Sequence, residues 1–154
     1  MKIRQSFVLA VASILLISPS QEARSDAPPM PKKLRCEFES YASGEATQNA
    51  SRITAQIKQG PGIDPLTFSS LDPVKGTAQF IGNAGASNVS FIATAFTWSF
   101  IEVTDAGNVN VTQIFLWNEP NADLGTYRAV HSRHSSMMGA IIASQHYGRC
   151  KALY

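Results

Sequence analysis

From Leu34 onward the apolar residues fall mostly at every second position, the period of strands that bury one face and wet the other. Leu34, Cys36 and Phe38 alternate with Arg35, Glu37 and Glu39, and Ile53, Ala55 and Ile57 alternate with Arg52, Thr54, Gln56 and Lys58. Ser43-Gly44-Glu45-Ala46 and the polar residues to Asn49 read as the loop between them. Gly60-Pro61-Gly62 and Asp64-Pro65 interrupt the chain, Leu66 and Phe68 share a face of a short strand, and Asp72-Pro73 with Lys75-Gly76 marks a turn before Ala78–Ile81. Gly82 to Asn88 reads as a connection.

Val89 to Thr104 has no Gly or Pro and is too long for one typical strand, so two strands are expected with a bend near Ala93–Ala95. In the second, Phe96, Trp98, Phe100 and Glu102 share one face, and Ile101 and Val103 share the other. Asp105-Ala106-Gly107-Asn108 is a hairpin pattern, because Gly and Asn accept the positive φ of a tight turn. The return strand, Val109 to Leu116, has apolar residues on both faces and is expected to lie centrally; Asn118-Glu119-Pro120-Asn121 ends it. Tyr127–Arg133 and Tyr147–Leu153 complete the strands, while His134–Ser144 fits a loop, a short helix or a strand equally. Eight or nine short strands with few helix patterns predict an all-β domain: a small antiparallel barrel, with a β-sandwich as the alternative.

The N-terminus is different in kind. Lys2 and Arg4 precede an almost unbroken apolar run, Phe7–Ile17, followed by Ser18-Pro19-Ser20 and a polar stretch to Ser25-Asp26-Ala27. That is the layout of a secretory signal peptide, with small residues suited to cleavage after Ser20 or after Ala27. At about 1.5 Å per residue the run falls well short of a hydrocarbon core about 30 Å thick, so no stable membrane anchor is expected. The chain therefore divides into a signal segment, 1–27, and one β domain, 28–154, exported to the periplasm or the extracellular space. Such a compartment makes two cysteines a disulfide pair, and Cys36 and Cys150 stand near the two ends of the domain. A bridge between them would join the first and last strands. By the chain-entropy relation it would constrain the unfolded chain by about 4–5 kcal/mol.

Charge removes one class of partner. The chain carries 13 Lys+Arg against 11 Asp+Glu, with no basic cluster beyond Lys32-Lys33-Arg35, so nothing points to nucleic acid. The glycine-rich loops lack a phosphate-binding pattern, and no cofactor is implied.

The chemistry-bearing residues are few. His131, His134 and His146 form the only histidine group. His131-Ser132-Arg133-His134 has a spacing seen in metal sites, but residues three apart in a strand face opposite ways, and a four-coordinate metal would need further ligands. Ser132, Ser135 and Ser136 lie beside histidines without a nucleophile elbow or an acidic partner, so no catalytic set is assigned. Glu102, set among apolar residues beside Trp98 and Phe100, reads as a buried acid with a raised pKa in a site, as the partner of Arg133 or Arg128, or as the point where the strand reaches solvent. Met137-Met138 and Ile141-Ile142 read as a cap on one barrel end or as a binding surface.

Trp98–Thr104, Gly107–Thr112, Ala129–His134 and Ser144–Cys150 resemble segments of a group of uncharacterised small exported proteins of alphaproteobacteria. The resemblance implies a periplasmic location and a disulfide at the chain's end, and it brings no activity with it. The expected function is a non-enzymatic exported protein that binds a small apolar ligand inside the barrel or a protein at its rim. An inhibitor of an exported protease or lysozyme-like hydrolase is the second expectation. A metal-binding protein or enzyme using the histidine group is the third.

Overall fold

The structure, a computed structural model, describes residues 29–47, 54–59, 62–83, 85–117, 123–137 and 140–154; for 45–47, 54–59 and 137 only the backbone is described. Residues 1–27, expected to be a signal segment, and Met138 lie outside these residues. The strands are β1 (Lys33–Thr47), β2 (Thr54–Gln59), β3 (Leu66–Asp72), β4 (Thr77–Gly82), β5 (Gly85–Ala93), β6 (Thr97–Val103), β7 (Val109–Phe115), β8 (Thr126–Met137) and β9 (Ala140–Leu153). All neighbours are antiparallel, in the order β2-β1-β3-β4-β5-β6-β7-β8-β9, and β1 also pairs with β9. That last pairing closes eight strands into a barrel, with β2 continuing along the β1 edge beyond β3. Closure satisfies the ladder groups that an open sheet would expose at its edges.

β1 and β9 form the seam, in register from Lys33↔Leu153 to Thr47↔Ala140. The lower part of β1, Lys33–Cys36, pairs with β3 on its other side, and the upper part, Ser40–Glu45, pairs with β2. β2 and β3 thus behave as one strand broken by the Gly/Pro segment, which takes a longer path between Gln59 and Leu66 than β1 takes between Ser40 and Cys36. The seam carries a bulge: Phe38 opposes Gly148 and Ser40 opposes Tyr147, so Glu39 is extra. A Cβ at Gly148 would run into the Glu37 carbonyl and the Phe38 backbone, which is why only glycine fits beside the bulge. The bulge also shifts the side-chain parity of β1 by one, so that inward positions pass from Phe38 to Tyr41.

Several connections follow from local chemistry. Thr94 turns the chain between β5 and β6, its Oγ1 accepting from the amides of Phe96 (3.2 Å) and Thr97 (2.9 Å). This is the expected bend, and it leaves Phe96 in the turn, 76% exposed, rather than on the inward face with Trp98. The Asp105–Asn108 hairpin forms as expected, with Gly107 at φ 77° and the Asn108 amide donating to Thr104 Oγ1 at 3.1 Å.

One stretch differs from the sequence reading, and another takes the strand among the three forms left open for it. Residues 43–47, expected as loop, continue β1, and the His134–Ser144 stretch is strand on both sides of the Met137↔Ala140 pair. Both are held by the long β1–β9 and β8–β9 ladders, whose pairing overrides weak local preference. β5 likewise begins at Gly85, so most of the expected 82–88 connection is strand.

Inside the ring the buried side chains are Leu34, Cys36, Phe38, Leu66, Phe68, Ala78, Val89, Phe91, Trp98, Phe100, Ile114, Leu116, Tyr127, Ala129, Cys150 and Ala152. Phe100 stacks between Phe68 (centroids 4.0 Å) and Phe91 (4.8 Å). Cys36 and Cys150 are register partners across the seam, both fully buried, and are joined as a disulfide. The outward positions, by contrast, include Arg35, Glu37, Asn88, Arg128, Arg149 and Lys151.

Candidate functional site

Strand register sorts the barrel interior into rows, because neighbouring strands place their inward side chains side by side. One row runs Trp98, Ile114, Ala129, Gly148, Phe38 across β6, β7, β8, β9 and β1. The next runs Phe91, Phe100, Thr112, His131, His146, Tyr41 across β5 to β9 and β1. The third runs Glu102, Asn110, Arg133, Ser144 across β6 to β9. The character of the interior therefore changes from apolar, through mixed, to charged within two steps of each strand.

The charged row lies against a cavity of about 570 Å³ that opens at one end of the barrel. Glu102 is held from both sides: Ser87 Oγ on β5 donates to Oε1 at 2.8 Å, and Asn110 Nδ2 on β7 donates to Oε2 at 2.7 Å. Neither Arg133 nor Arg128 is the carboxylate's hydrogen-bonding partner, so the ion pair, one of the three readings of Glu102, does not form. Arg133 faces the same cavity and makes no ion pair among the described residues. Asp64, from the segment between β2 and β3, reaches the rim. The opposite wall is apolar, with Leu66 on β3, Phe80 on β4 and Ile63. In an eight-strand ring β3 and β4 lie across from β7 and β8, so charge and hydrocarbon face each other over the space.

Below this row sit two buried histidines, His131 (4% exposed) and His146 (3%), with ring centroids 6.0 Å apart. His131 Nδ1 hydrogen-bonds Thr112 Oγ1 at 2.7 Å, and His146 Nε2 hydrogen-bonds Ser144 Oγ at 3.1 Å. Desolvation, with smaller contributions from His146 and Arg133, pushes the His131 pKa down to about 3. Desolvation first, then Arg133, lowers that of His146. Both rings are neutral near pH 7, as burial without a counter-ion requires. His146 also stacks on Tyr41, 5.4 Å between centroids, and Gly62 sits directly over both rings. Its Nδ1 is buried with no hydrogen-bond partner among the described residues.

Of the residues singled out in the sequence, Glu102, His131 and Arg133 line the cavity, and His146 lies beside it under Gly62. Trp98 belongs to the apolar row, edge-on to Tyr127 at 5.8 Å, away from the cavity. His134 is exposed on the outer face, three positions from His131, so the histidines that converge are 131 and 146. Ile141 is exposed. Among the described residues no three His, Cys, Asp or Glu side chains come together as a metal-ligand set.

Ser87, Asn110, Thr112 and Asp64 were missed. Asn110 was within reach: folding the chain about the Asp105–Asn108 hairpin puts it opposite Glu102. Ser87 lay in the stretch expected as a connection, and nothing local ties it to Glu102. Among the described residues no helix is long and apolar enough to cross a membrane. Comparison of the chain with protein families, curated proteins and solved structures finds no match.

Proposed function

We propose that this chain is an exported, non-enzymatic binding protein that holds a small polar ligand in the open half of its barrel. The observation that carries this reading is Glu102: a carboxylate fixed by Ser87 and Asn110, left without an ion pair among the described residues, on the wall of a cavity of about 570 Å³. Orienting a charge by neutral donors, with its remaining acceptor capacity turned to an open space, is how binding sites fix polar ligands. The charged wall favours a hydrogen-bonding ligand over the purely apolar one expected from the sequence, although Leu66 and Phe80 offer it a hydrophobic side. Export to the periplasm or beyond is supported by the signal-like segment 1–27 and by the disulfide, which fits an oxidising environment.

Native mass spectrometry of protein purified from the exported fraction tests the reading. A small-molecule mass lost on denaturation, and absent from Glu102→Gln, is expected. A bare protein in both forms, even after incubation with a total small-molecule extract of the source cells, would remove the binding role.

A further inference from the structure

We propose that the ligand is a zwitterion with an apolar body, in the chemical class of a free α-amino acid with a hydrocarbon side chain; this rests on the binding role above and specifies it. Glu102, Asn110 and Arg133 are consecutive register partners on β6, β7 and β8, so the carboxylate and the guanidinium stand on alternate strands with one amide between them. Two strand spacings separate their backbones by roughly 10 Å. The two charges do not pair with each other. Glu102 takes hydrogen bonds from Ser87 and Asn110 instead, and Arg133 remains without a carboxylate among the described residues. One wall of the cavity therefore shows a negative group held by two hydrogen bonds and, two strands away, a positive group.

A single-charge ligand would satisfy one of these and leave the other facing it unpaired. A molecule carrying an ammonium and a carboxylate a few ångströms apart satisfies both, by one charge-assisted hydrogen bond to Glu102 and a forked pair to Arg133. Asp64 at the rim adds a second acceptor for the cationic end. The rest of the ligand then projects toward the far wall, where Leu66, Phe80 and Ile63 present hydrocarbon. His131, neutral through burial and lining the same cavity, adds no charge that would upset this balance.

The test is an NMR titration of the isotope-labelled, disulfide-bonded protein with four probes: L-leucine, L-leucinamide, N-acetyl-L-leucine and glucose. Leucine is expected to shift the resonances of Ser87, Glu102, Asn110 and Arg133. Leucinamide and N-acetylleucine, each lacking one charge, should bind at least about tenfold more weakly, the scale of one lost charge-assisted hydrogen bond. Glu102→Gln should abolish the advantage of leucine over N-acetylleucine, and Arg133→Gln its advantage over leucinamide. Glu102→Gln keeps side-chain size, Arg133→Gln keeps a polar side chain of shorter reach, and an unchanged amide spectrum outside the cavity shows that each variant is folded. If either singly charged analogue binds as tightly as leucine, or glucose shifts these resonances while leucine does not, the zwitterion is overturned and the cavity stands as a site for another polar class. If no probe shifts them, the zwitterion is likewise overturned; the mass-spectrometric experiment then decides separately whether the cavity carries any ligand.

Discussion

Along β6 the inward side chains run Trp98, Phe100, Glu102, and a step of two residues separates a three-ring aromatic stack from a carboxylate in an open cavity. The same change occurs on β7, from Ile114 through Thr112 to Asn110, and on β8, from Ala129 through His131 to Arg133. One end of the barrel is filled by buried Trp98, Ile114, Leu116, Tyr127 and Ala129. The other end is open and charged. Across β6, β7 and β8 the backbone ladder runs unbroken through both ends, so on these strands the difference is made by side chains alone. A closed sheet offers inward positions at regular steps, and exchanging apolar for polar residues in one row makes a site without disturbing the fold. Between the two ends lies a buried polar row, in which Thr112 and Ser144 hold neutral histidines.

Changes to the filled end should cost stability, and changes to the open end should cost binding. The largest effect is expected from the seam: Cys36→Ala with Cys150→Ala frees a loop of 114 residues' separation and should lower unfolding free energy by about 4–5 kcal/mol in a denaturant titration. A loss below about 1 kcal/mol would mean that the β1–β9 ladder holds the seam unaided.

Phe100→Ala removes the middle ring of the stack and should cost about 3–5 kcal/mol by the same measurement. A small cost would show the filled end to be loosely packed.

The histidine row gives a pH dependence. His131 has a folded pKa near 3 against an ordinary value near 6.5, so the unfolded chain takes up a proton that the folded chain refuses. Its contribution is complete above pH 6.5 and is lost as pH falls toward 3, at about 1.4 kcal/mol per pH unit through this one group. His146, shifted in the same direction, adds to the slope. Stability measured from pH 7 to pH 4 should fall accordingly, and His131→Gln should flatten the fall; an identical slope in that variant would remove His131 as the cause.

The smallest effect on stability belongs to the open end. Glu102→Gln should change unfolding free energy by less than about 1 kcal/mol, because a half-exposed group next to solvent loses little, while ligand retention disappears. A large destabilisation would make Glu102 a structural residue and weaken the contrast between the two ends.

The alternation of Leu34-Cys36-Phe38 and of Trp98-Phe100-Glu102 was legible because strand period is local: each residue's face follows from its neighbours two positions away. The 105–108 hairpin was legible for the same reason, since Gly107 alone meets the positive φ of that turn. The histidine pairing was not. The spacing drew attention to His131 and His134, which face opposite ways, whereas His146 reaches His131 only through the β8–β9 register. Nor was the environment of Glu102 legible, because Ser87 comes to it from β5 across strands whose relative stagger no local pattern encodes. Residues 43–47, 134–137 and 140–144 lack strong strand preference and become strand by pairing over a long ladder.

The amino-acid pattern by itself determined an all-β chain, its main turns and an apolar inward face, since these rest on short-range periodicity and turn chemistry, and the count and placement of two cysteines pointed to a bridge between first and last strands. The tertiary structure alone decided which inward residues share a row. The 105–108 hairpin sets Asn110 opposite Glu102, but only the β7–β8 and β8–β9 pairings bring Arg133 beside them on an open cavity and His131 against His146 beneath it.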